Sequence, residues 1–67
     1  MRKAERLNDF YDELKRLHMK YRPDWRFGQL LVNFFWWLDT QNNIDPFFPE
    51  EYKMLEYFKE FIVQVSL

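Results

Sequence analysis

The sequence predicts an all-α fold, a compact three-helix bundle with one long structured loop between helices two and three. Three observations predict it. Apolar residues recur at steps of three and four through most of the chain. Pro23 and Pro49 fall where helical periods break and restart. The chain falls into three such periodic segments, divided near Pro23 and by the polar run Asp39–Asn43, so three helices and no strands are expected. A chain of this length makes one domain, residues 1–67, with no linker, repeat or low-complexity tract.

In the first segment Leu7, Phe10, Leu14, Leu17 and Tyr21 share one face of a helix predicted over residues 3–22. Tyr11 and His18 flank that face. Asp12 and Arg16 stand at the favourable i,i+4 spacing on the charged side. Pro23 ends the helix, because it removes a backbone donor and disfavours helical geometry at Arg22. Asp24 follows as the expected N-cap of the second helix.

At about 100° per residue, Phe27, Leu30, Leu31, Phe34, Phe35 and Leu38 form one broad apolar arc. That breadth predicts a middle helix touching both neighbours. Gly28, one turn in, is expected to permit close helix packing. The polar run Asp39–Asn43 ends this helix. The link through Asp45-Pro46-Phe47-Phe48-Pro49 is expected to lie pinned to the core by its two rings. Pro49 suits the first turn of a third helix, with Glu50 and Glu51 at its positive end. Met54, Leu55, Phe58, Phe61, Ile62 and Val65 supply its apolar face.

Composition narrows the function classes. There is no cysteine, so disulfides and Cys-based zinc sites are excluded. The formal net charge is −1, which argues against a strongly basic nucleic-acid binder. Residues 1–26 nevertheless carry +3 and residues 27–67 carry −4. The charged N-terminus lacks a following apolar stretch, and the longest apolar run, Leu30–Leu38, is far shorter than a membrane span. A cytoplasmic protein without membrane contact is the expectation. His18 is the one histidine and reads as a boundary core residue, without a nucleophile or an orienting carboxylate nearby. Glu50 and Glu51 are sequence neighbours that point about 100° apart on a helix, so they do not converge. With one glycine no phosphate-cradling loop can form. No catalytic residue, cofactor or metal ligand is therefore assigned, and an enzyme is not expected.

The chain's 15 aromatic residues leave a surplus. Arg26, Gln29, Asn33 and Trp36 recur at i, i+3, i+7 and i+10, on one stripe opposite the apolar arc. Trp25 and Val32 border it on one side and Trp37 on the other. Solvated faces usually carry Lys and Glu, whereas Trp and Arg are enriched in binding hot spots. The expected partner-binding set is thus Trp25, Arg26, Gln29, Asn33, Trp36 and Trp37, unless the 39–49 loop folds over that face. The occupant would be another protein or a second copy of the chain. A small helix-turn-helix DNA-binding regulator, using the basic first helix and Arg26, is the competing reading.

Arg22-Pro23-Asp24-Trp25-Arg26-Phe27-Gly28-Gln29-Leu30-Leu31-Val32-Asn33, with Asp45-Pro46-Phe47-Phe48-Pro49-Glu50-Glu51 further on, resembles a group of small bacterial and phage helical proteins. Their pattern is Pro-Asp-x-Arg-x-x-Gln-Leu-x-x-Asn followed by Asp-Pro-Phe; the YihD-like family carries a looser version of the first half. His18 stands where that group places a tryptophan. The resemblance implies a helical protein of phages or mobile elements without a known activity. It also implies that Arg26, Gln29 and Asn33 belong to a shared pattern. By analogy such a protein would act as an inhibitor or adaptor of a host protein, for example of a defence system.

Overall fold

The structure is a computed structural model and describes residues 2–67. Three helices account for it: α1 (Arg6–Tyr21), α2 (Phe27–Asn42) and α3 (Glu51–Gln64). No strand is present among the described residues.

Helix α1 starts at Arg6, later than the expected residue 3, because the backbone first closes a turn from Arg6 N–H to the Lys3 carbonyl (3.3 Å). It stops at Arg22, next to Pro23, as a missing donor requires. Its predicted face is inward, with Leu17 buried and Leu7, Phe10, Leu14 and Tyr21 half-buried. On the outer side Arg16 pairs with Glu13, three residues away, instead of with Asp12.

Asp24 does not cap α2. The chain closes a turn from Trp25 N–H to the Arg22 carbonyl (3.1 Å), and the N-cap is Arg26, whose guanidinium has no acceptor to offer. Gln29 reaches back instead, its Oε1 accepting from the Arg26 N–H at 2.8 Å. At the other end Asn43 adopts the left-handed conformation (φ 53°). The Ile44 N–H then bonds back to the Leu38 carbonyl at 3.0 Å, a tight helix stop that turns Ile44 onto the core.

Residues 43–50 connect α2 to α3, and here the expected anchoring is corrected. Phe47 and Phe48 are 83% and 73% exposed and pack on each other, ring centroids 5.1 Å apart. The Asp45 carboxylate accepts the Phe47 N–H (2.9 Å). That local bond and the flanking prolines fix a turn whose rings face outward, while Ile44 does the anchoring. Pro49 precedes α3 instead of entering it, and Glu50 is the N-cap.

The central helix is α3, not α2. It lies against both others, whereas no Cα of α1 comes within 8 Å of a Cα of α2. Helices α1 and α3 run parallel. Arg6 meets Glu51 near their starts (2.7 Å), Glu13 meets Lys59 midway (3.6 Å), and Arg22 Nη2 donates to the Val65 carbonyl at their ends. Helix α2 joins through an aromatic node in which the Phe34 ring sits 5.1 Å from Phe58 and 5.3 Å from Phe61. Leu17, Leu30, Phe34, Trp37, Leu38, Phe58, Phe61 and Ile62 form the buried core. Each such side chain contributes roughly 1.5–3 kcal/mol by leaving water.

Because α2 is peripheral, its apolar arc is only partly covered. Phe27 is 63% exposed and Phe35 38%, against the expectation that both lie inside. Gly28 serves no close packing either: a Cβ built there meets no atom within 4 Å.

Candidate interaction surface on the second helix

The three tryptophans have three different fates. Trp37 is buried and donates its indole N–H to Gln64 Oε1 on α3 (3.1 Å), with its ring 5.7 Å from Phe61. It therefore belongs to the core, not to the outward stripe beside which the expected set placed it. A buried indole needs an acceptor for its N–H, and Gln64 supplies one.

Trp25 is half-buried in the corner between α1 and α2. Its ring lies 6.3 Å from Phe61, and the Arg22 guanidinium lies over it, 4.8 Å from the ring centre. His18 Nε2–H donates to the Trp25 carbonyl at 2.9 Å, which gives the lone histidine a structural role. This corner holds the ends of all three helices together, and Arg22 is the residue that sequence reasoning missed there. Its position beside Pro23 signalled only a helix stop; its reach to Val65 is a long-range contact that no local pattern encodes.

Only Trp36 is free, at 65% exposure. The amides beside it are exposed but locally engaged. Asn33 Nδ2 donates to the Gln29 carbonyl (2.7 Å), Gln29 caps the helix start, and Thr40 Oγ1 donates to the Trp36 carbonyl (2.8 Å). These back-bonds explain amides and a hydroxyl on an outer face without any ligand. Arg26 is exposed at the helix start.

On the other side of Trp36 the surface turns apolar. Val32 is 69% exposed and Phe35 38%. The 43–50 connection does not cover this face, since its own rings point to solvent. The outward side of α2 is thus an apolar strip of Val32, Phe35 and Trp36, edged by Gln29 and Asn33. Asp39 is the only charged side chain within the helix.

Two clefts between helices lie elsewhere. One, about 560 Å³, runs between the starts of α1 and α3, lined by Phe10, Tyr52 and Leu55. The ion pairs of Arg2 with Glu50 and of Arg6 with Glu51 line it as well, and each arginine's hydrogen bond holds its glutamate below the usual carboxylate range. The other, about 230 Å³, separates α1 from α2 and is lined mainly by Tyr11, Leu14, His18, Met19, Phe27 and Leu30. Among the described residues no cluster of His, Asp and Glu converges to hold a metal ion, and no helix is long and apolar enough to cross a membrane. Comparison with protein families, curated proteins and solved structures found no match.

Proposed function

We propose that this chain is a non-enzymatic protein-binding module that acts through the outer face of α2. The observation that carries the reading is the contrast between adjacent tryptophans, Trp37 at 7% exposure and Trp36 at 65%, with Val32 and Phe35 extending the uncovered strip. Rigid aromatic surface left in water on a helix costs solubility unless a partner removes it. Trp36 would bury its ring against the partner, while Arg26, on the same stripe, would set orientation from the rim. An inhibitor or adaptor that works by occupying another protein's surface needs no more chemistry than this.

A nucleic-acid reading draws less support. Arg2, Arg6 and Arg16 are paired with Glu50, Glu51 and Glu13, which lowers the positive field available to phosphates. Helix α2, which a helix-turn-helix reading would place in the groove, holds no Lys or Arg.

The test is a pull-down with wild type, Trp36→Ala and Arg26→Ala, paired with circular dichroism. Both variants should keep the helical signal and recover markedly less partner. Loss of helical signal in Trp36→Ala would mean that the strip is core, and the reading would fail.

A further inference from the structure

Resting on that reading of α2's outer face, we infer that the face is occupied by a second copy of the chain, in an antiparallel α2–α2 pair centred between Val32 and Phe35. Gly28, Val32, Phe35 and Asp39 follow one another at steps of four, three and four, the spacing of a coiled-coil seam. At 3.6 residues per turn they fall within about 60° of arc and span about 16 Å of helix. Two copies related by a two-fold axis place Val32 opposite Phe35 of the other copy, and Gly28 opposite Asp39. Trp36 flanks the seam and closes over Gln29 and Val32 of the facing helix.

Three independent features fit that register. The first is charge. Asp39 is the only ionised group in α2, so the seam has no like-charge cluster to bring together on self-pairing. The second is the ends of the helix. The start of α2 has no acidic residue in its first turn and its N-cap, Arg26, offers no side-chain acceptor, Gln29 engaging only the Arg26 N–H; its last turn has no basic residue. An antiparallel copy sets each Asp39 carboxylate beside the other's exposed first-turn amides, where negative charge is favoured. Gly28, with nothing within 4 Å of its Cβ position, leaves the backbone there open to approach. The third is area. The chain exposes 5265 Å², whereas a compact monomer of 8.6 kDa exposes about 4,700 Å². Removing an excess on the order of 500 Å² from each copy gives about 1,000 Å² in total, the lower bound for a specific interface. The Phe47–Phe48 tip shares in this excess, but a two-ring knob is not self-complementary, and a two-fold pair needs the same patch on both sides. An interface at that lower bound is at the weak end of specific pairs, so association is sought at micromolar concentrations.

Sedimentation equilibrium from low to high micromolar concentration tests this, with thermal melts of each variant at the lowest concentration. Wild type should pass from monomer to dimer. Gly28→Leu should weaken association at least tenfold while melting no lower than wild type as a monomer, since its side chain blocks only the facing helix. Asp39→Asn should weaken it about threefold or more at low salt, because the substitution removes two carboxylates, one at each helix start of the pair. A wild type that stays monomeric, or a dimer indifferent to Gly28→Leu, overturns the self-pairing. In either case the broader reading of the face as a binding surface stands if Trp36→Ala melts like wild type. If Trp36→Ala melts far lower, that reading falls too.

Discussion

The seam between α1 and α3 and the outer face of α2 are built from the same kinds of residue and have opposite fates. Along the seam, apolar side chains from both helices meet and ion pairs recur at the start and middle, so the two helices are held in parallel over most of their length. Helix α2 touches the rest mainly through Leu30, Phe34, Trp37 and Leu38, and leaves Val32, Phe35 and Trp36 in water. An apolar helix surface is wider than one neighbour can cover. Among the described residues there is no fourth helix to take the other side. The uncovered width is what the proposed binding would use.

The largest expected effect comes from cutting the node that joins the two regions. Phe34→Ala removes the ring packed on Phe58 and Phe61 and should cost about 3–5 kcal/mol, enough to unfold much of the population in urea titrations. A loss under about 1 kcal/mol would mean that α2 is not docked as described. Next is the corner. Arg22→Ala removes a charged donor to the Val65 carbonyl and the guanidinium lying over Trp25, and should cost about 1–3 kcal/mol in the same titration. Arg22→Lys should recover only part of that, because an ammonium cannot reproduce the planar guanidinium.

A smaller, opposite effect is expected on the exposed face. Gly28→Ala should raise monomer stability by about 0.5–1 kcal/mol, since the site is helical and its new methyl meets nothing. The smallest effect is acid sensitivity of the seam. Glu13, Glu50 and Glu51 are each held below their ordinary range, first by hydrogen bonds from Arg16, Arg2 and Arg6. Groups depressed in the folded state stabilise it fully above the unfolded value, about 4.3, and lose that contribution as pH falls through the folded value. Thermal melts should therefore drop modestly below about pH 4, and less so in high salt, because these pairs are exposed and screened.

Much of the fold was legible because periodicity reports which side of a helix is apolar. The faces of α1 and α3 followed directly from it, down to Phe58, Phe61 and Ile62. Periodicity does not report how wide a face its neighbours cover. That is why Phe27 and Phe35 were expected inside and lie outside, and why Trp37, at the edge of the arc, was expected outside and lies within. The Phe47–Phe48 tip failed for a related reason. A hydrophobic pair between prolines looks like an anchor, yet the Asp45 turn fixes the backbone so that Ile44 takes that place. Of the expected contact set, Arg26, Gln29, Asn33 and Trp36 were placed on the surface by spacing alone; Trp25 and Trp37 were assigned inward by partners on α1 and α3 that no local pattern contains.

Urea unfolding of Trp36→Ala beside Trp37→Ala, at a concentration where the chain is monomeric, tests the two-sided character of α2 most directly. Trp37→Ala should lose about 3–5 kcal/mol, and Trp36→Ala should stay within about 0.5 kcal/mol of wild type. Equal losses in the two variants would contradict the account, because Trp36 would then be part of the core.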